Sequence, residues 1–231
     1  MSSEANKFLK ASFVMTGAHL AERLLGLVST VIIARVLVPE DFGIVAMAML
    51  VVMFIDILSN SGSQQYIVQK TEVSREDLNT AWTLNLLLKS ALVLVIFFAA
   101  PFAAEFFNDS RLTNVLMVIS LTAPIYALRS PEFFLKIRDQ KYEQFAKLMI
   151  MKKIIAIATT VSLALIYKNY WALISGQVIS SIFGSVFSYF LLPCLPRLTL
   201  RKVSEQWGFS KWMMMKEIFG YLRSQSDMFI V

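Results

Sequence analysis

Of the ionisable residues inside long apolar runs of this sequence, four are placed to do chemistry: Glu22 and Arg23 in the first run, Asp56 in the second and Lys89 in the third. A charge placed in hydrocarbon costs roughly 2.5–3.5 kcal/mol on insertion scales, so it persists where it meets a partner or a water-filled path. Cations at such depth suit an anionic ligand, a phosphate above all, and carboxylates suit a proton or a cation. Arg23 and Lys89 are read as lining one cationic cavity, with Glu22 beside them. A structural reading stands next to each. Glu22 could neutralise a charge on another helix, and Lys89 could snorkel, although its reach to either interface is poor. Asp56 lies about a turn from the end of its run, as a solvated or helix-paired carboxylate or as an ion-coupling group. Lys152 and Lys153 read as interface anchors, and Asn85 and Gln177 as interhelical hydrogen-bonding residues.

Other chemistries are excluded. There is no phosphate-cradling glycine loop and no nucleophile elbow, so the chain does not read as an enzyme. One cysteine, Cys194, and one histidine, His19, rule out an internal disulfide and leave too few ligands for a Cys/His metal site; no cofactor is implied. The net charge of +6 does not indicate nucleic acid, because the charges sit in short segments between apolar runs.

The elements that must hold these charges are transmembrane helices. Hydrophobic residues make up 57% of the chain and charged residues 16%, against roughly 45–50% and about 25% in soluble domains. Mean hydropathy is +0.62. A helix needs about 20 mostly apolar residues to cross the hydrocarbon, and six segments qualify: Phe13–Leu37, Phe42–Leu58, Trp82–Ala104, Val115–Leu128, Met149–Tyr167 and Tyr170–Leu192. The first is too long for a cleavable signal and is read as retained. The fourth is short and contains Pro124; it spans only if it continues to about Leu135 through Arg129 and Glu132, with neighbouring helices satisfying the freed backbone. In the sixth, Gly176 and Gly184 with Ser180, Ser181 and Ser188 suit close packing. Residues 1–196 are thus expected as a six-helix lobe. Residues 197–231 are expected as a basic interfacial stretch, Arg197–Val203, and the start of a seventh helix from Trp207, still running at Val231. The fold class is all-α, a polytopic helical bundle.

Lys and Arg placement orients the bundle. With the N-terminus in the cytoplasm, the inner segments hold Lys7, Lys10, Lys70, Arg75, the basic region 129–153, Arg197, Arg201, Lys202 and Lys211. The outer segments hold Arg35, Arg111 and Lys168.

One stretch is specific. Ile33-Ala-Arg-Val-Leu-Val-Pro-Glu-Asp-Phe-Gly43 joins the first two spans. Pro39 restarts the chain, and Glu40 and Asp41 suit the positive N-terminal end of the second helix. This stretch resembles the A-R-x-L-G-P-E-D-F-G signature of the polysaccharide exporter family, which includes Wzx-type flippases, within the multidrug/oligosaccharidyl-lipid/polysaccharide superfamily. Asn60–Lys70, Ser74–Asn85, Tyr170–Gln177 and Gln225-Ser-Asp227 resemble further family segments. Val38 stands where the family has glycine, and Ser61 and Ser63 flank Gly62 where it more often has leucine.

The resemblance implies the N-terminal lobe of a two-lobed, MATE-like exporter in the bacterial inner membrane. Such an exporter flips an undecaprenyl-pyrophosphate-linked glycan by alternating access, with the bilayer and a second, C-terminal lobe as partners. Cationic side chains in the bundle would meet the pyrophosphate. Two readings compete with it: a drug or cation antiporter of the same superfamily, whose cavity would favour carboxylates, and a membrane remnant that transports nothing.

Overall fold

The computed structural model describes residues 2–59, 62–139 and 142–226. Asn60, Ser61, Lys141 and Asp227, with the rest of the C-terminal expectation to Val231, lie outside the described residues. Among those described there are ten helices and no strand.

The first helix, α1, runs Ser2–Ile33, and α2 runs Pro39–Leu58. As the sequence predicts, α2 opens with Pro39 at its first positions and Glu40 and Asp41 in its first turn. The missing N–H of Pro39 is one that no helix start could satisfy, and the two carboxylates complement the helix dipole. A short helix, α3, Ser63–Gln69, follows the break after α2. Gly62 turns the chain there with φ +61°, and a Cβ on it would stand 2.7 Å from Cβ of Met213. Both the left-handed backbone and the space demand glycine.

The long helix α4, Arg75–Phe106, begins about two turns before the expected Trp82. Ser74 accounts for the difference. Its hydroxyl accepts from the Asp77 N–H, and the Asp77 carboxylate accepts from the Ser74 N–H at 2.9 Å, forming a capping box. Asp77 is fully buried and pairs with Lys70 at 2.8 Å and Lys202 at 3.3 Å. Arg201 pairs with Glu76 at 3.0 Å. Two basic residues of the expected interfacial stretch therefore answer carboxylates at the start of α4.

The fourth expected span differs from a straight helix. It comprises α5, Arg111–Ser120, and α6, Thr122–Ala127, and then bends by 68° into α7, Glu132–Arg138. The chain does not run straight on to Leu135. Neighbouring side chains satisfy the backbone groups that the break frees. Ser185 donates to the Ile125 carbonyl, Tyr189 to that of Leu128 and Trp82 to that of Arg129. The Ser130 N–H donates to the Ser188 hydroxyl.

The pair α8, Glu143–Tyr167, and α9, Trp171–Leu191, packs as a hairpin turned by Lys168 at φ +50°. The expected small residues Gly176, Gly184, Ser180, Ser181 and Ser188 are buried; Gly176, Ser180 and Gly184 face α8, while Ser188 faces the break before α7. The last described helix, α10, runs Val203–Ser226. α1 leans on α8, while α2, α4 and α5 form a second group joined to α9 through α5 and α6. Ile44, Ala48, Ala100, Leu112, Val115 and Ile174 make the core of that junction. Phe98, Phe102 and Phe106 point outward, each at least three-quarters exposed, as lipid-facing side chains do. Five described helices are long and apolar enough to cross a membrane, and six spans result if the bent pair counts as one. The fold is an all-α polytopic bundle.

Candidate functional site

Lys89 lies on α4, with only 8% of its side chain exposed. Burying an ammonium this deep requires compensation, and Asp56, at the end of α2, supplies it at 2.5 Å. Asp56 is thus paired with a neighbouring helix while its side chain stays more than half exposed. Both residues line a cleft of about 200 Å³ with Asn85, Tyr126, Arg129 and Phe134.

Tyr126, on α6, is the centre of the site. Its ring has the Lys89 ammonium at 5.9 Å, the Arg129 guanidinium at 4.2 Å and the Lys152 ammonium at 5.0 Å. Arg129 Nη1 also donates to the Tyr126 hydroxyl. An electron-rich ring face attracts cations and helps three of them to assemble where repulsion would otherwise scatter them. The Phe133 ring lies 5.6 Å from the Arg129 guanidinium. Arg129 follows Tyr126 by three residues, a spacing that sets the two side by side, and α6 ends between them.

Lys152 and Lys153 do not sit at the start of a helix. α8 begins at Glu143, so both are drawn into the bundle. Lys152 crosses Gly184 of α9, where a Cβ would come within 2.5 Å of its Cδ. Lys153 crosses Gly26 of α1, where a Cβ would come within 3.2 Å of its Nζ. Each glycine leaves the room its lysine fills. Both lysines line a second cleft, of about 170 Å³, with Glu22, Gln177 and Ser180.

The expected site residues are thus only partly brought together. Lys89 and Asp56 line the first cleft and Glu22 the second. Arg23 is exposed and lines neither, so it does not share a cavity with Lys89. Arg129, in the first cleft with Lys89, takes the place that the sequence reading gave to Arg23, and Lys152 approaches the same Tyr126 ring from the second cleft. Counting the residues that line the two clefts, four cations (Lys89, Arg129, Lys152 and Lys153) face two carboxylates, Asp56 and Glu22. That excess suits an anion. Among the described residues, no group of His, Cys, Asp and Glu has the arrangement to hold a metal.

A model of the family described as "Polysaccharide biosynthesis protein" matches residues 32–231. The succinoglycan biosynthesis transport protein ExoT of Rhizobium meliloti (strain 1021) is 25% identical over 206 residues, covering 88% of this chain and 42% of that protein. An uncharacterized membrane protein in the cps region of Klebsiella pneumoniae is 24% identical, covering 87% of this chain and 42% of its own length. The lipopolysaccharide biosynthesis protein WzxC of Escherichia coli (strain K12) is 23% identical, again covering 87% and 42%. The chain therefore spans less than half the length of these curated relatives. No solved structure matches it.

Proposed function

Since this chain belongs to the polysaccharide biosynthesis protein family of exporters, we propose that it forms the N-terminal lobe of a carrier that moves a lipid-linked glycan precursor from the inner to the outer face of the bacterial inner membrane. The N-terminus is cytoplasmic, and the cation cluster around Tyr126 receives the pyrophosphate of an undecaprenyl-pyrophosphate-linked glycan. The observation that carries this reading is three cations within 6 Å of one aromatic ring, one of them deeply buried.

The chemistry follows from the donors. A guanidinium offers a planar fork that matches phosphate oxygens, and an ammonium offers a compact charge that follows the anion as it moves. Lys89 comes from α4, Arg129 from the bend after α6, and Lys152 from α8. An anion held by all three draws three elements together, and its departure releases them. Alternating access by rocking against a second lobe would use that difference. The sugar chain, which needs donors and acceptors together, finds both in the second cleft through Glu22, Gln177 and Ser180. The lipid tail stays in the bilayer.

The test uses a continuous exporter carrying this lobe, in a strain lacking its own. Lys89→Ala, Arg129→Ala and Lys152→Ala are each expected to lower surface glycan at normal membrane abundance. Arg23→Ala should lower it less. Normal export by all three cluster variants would defeat the assignment.

A further inference from the structure

Lys89 and Asp56 are unequal partners. The lysine side chain is 8% exposed and the aspartate 56%. The ammonium is committed to the interior, while the carboxylate reaches it from the open side of the cleft. An approaching anion meets Lys89 only after Asp56 has moved off. Arg129, on the same cleft, is held differently: its described contacts are the Tyr126 hydroxyl and the faces of Tyr126 and Phe133. Neither cancels its charge.

A bilayer surrounds such a cleft with phosphodiester headgroups, each offering one negative charge on its phosphate. A bare pair of cations would be occupied by them. Specificity is a difference of affinities, and it is often built by penalising the wrong ligand. We propose that Asp56 is the selector that keeps monoanionic phosphodiesters out and admits pyrophosphate. This rests on the reading that the cleft receives pyrophosphate. Asp56 is itself a monoanion, tethered against Lys89 at 2.5 Å. A free monoanion that displaces it exchanges one charge contact for another and competes against a group whose effective concentration is set by the tether. Pyrophosphate carries more charge and spans more than one donor. It engages Lys89 and the uncancelled Arg129 fork at once, so its gain exceeds the contact that Asp56 gives up.

The experiment measures binding to this chain in maltoside micelles, which contribute no phosphate. The probes are inorganic pyrophosphate and dihexanoyl phosphatidylglycerol, a soluble phosphodiester. The unmodified chain is expected to bind pyrophosphate and to bind the diester much more weakly. Asp56→Asn should raise affinity for both probes by about tenfold, since each must displace Asp56 to reach Lys89, and should thereby bring the diester, excluded from the unmodified chain, into the bound range. Asp56→Glu should keep diester binding weak. Asp56→Ser leaves room for water or chloride beside Lys89 and carries the same expectation if the amide variant fails to accumulate. Equal binding of both probes by the unmodified chain overturns the selector. So does an unchanged diester affinity in Asp56→Asn or Asp56→Ser, and both results leave the pyrophosphate site standing. Failure of every form to bind pyrophosphate overturns the site and the selector together.

Discussion

Three glycines give the same substitution three different outcomes. A Gly→Ala change in a helix gains about 1 kcal/mol of intrinsic propensity, and the net effect depends on the atoms that the new methyl meets. At Gly43 nothing lies within 4 Å, so Gly43→Ala is expected to stabilise by about that amount. At Gly176 the methyl would stand 1.8 Å from the Thr160 hydroxyl, 3.0 Å from its Cβ and 3.2 Å from the Ala156 carbonyl. The hydroxyl can rotate, but Cβ and carbonyl belong to α8 and cannot move without it. Overpacking of this kind costs about 1–3 kcal/mol, so Gly176→Ala should be neutral at best and destabilising by up to about 2 kcal/mol. At Gly184 the three atoms nearest the methyl are Lys152 methylenes, at 2.5 to 3.0 Å. The lysine swings aside and loses its place over Tyr126, worth about 0.5–2 kcal/mol, which roughly offsets the propensity gain. Stability should barely change while pyrophosphate affinity falls by about tenfold, the value of one lost charged contact. Unfolding midpoints in mixed detergent–SDS micelles, followed by tryptophan fluorescence, read the first quantity. Pyrophosphate binding reads the second. If Gly176→Ala is as stable as Gly43→Ala, α8 and α9 do not approach as described. If Gly184→Ala binds pyrophosphate normally, Lys152 is not part of the site.

Two further outcomes are expected. Reporter enzymes that are active only outside the cytoplasm should be active when fused at Asn108 or Lys168 and silent at Arg138 or Lys147; the reverse pattern would discard the orientation read from the basic residues. Cys194 is 2% exposed, and burial pushes its thiol above its ordinary range although the Arg75 guanidinium at 2.7 Å opposes that. The thiolate is the reactive form, so iodoacetamide at neutral pH should label the folded chain slowly and the SDS-unfolded chain fast. Equal rates would contradict the burial.

The span count and the start of α2 were legible because they rest on local signals: apolar length, a proline and two acidic residues. The site was legible only in part. Lys89 announced itself by standing alone in an apolar run, whereas Asp56 read as a solvated or helix-paired carboxylate or an ion-coupling group, with no partner named. Lys152 and Lys153 were misplaced because α8 starts two turns before its apolar stretch. Glu143 in its first turn was the signal that could have moved that boundary. Arg129 was expected inside a continuous span, and it lies instead just past the end of α6, where the chain bends by 68°. Tyr126 gave no signal, since an aromatic residue in a membrane segment is ordinary until three cations gather on it. Arg23 shows the converse. Depth in the sequence predicts a cost, and direction around the helix, which the sequence leaves open across a nearly uniform apolar run, decides where that cost is met.

The broken segment between residues 111 and 138 bears on biogenesis. Ribosomes deliver the chain in order, and the hydroxyls that complete the break, Ser185, Ser188 and Tyr189, emerge about sixty residues after the carbonyls and N–H they serve. Until α9 is inserted, those backbone groups must be shielded by water at the translocation channel or by an insertase, because lipid offers them nothing. Assembly of this bundle therefore has a natural checkpoint. Ribosome-bound chains halted before residue 185 should remain within crosslinking reach of the insertion machinery, and release should follow once α9 has folded back against α8.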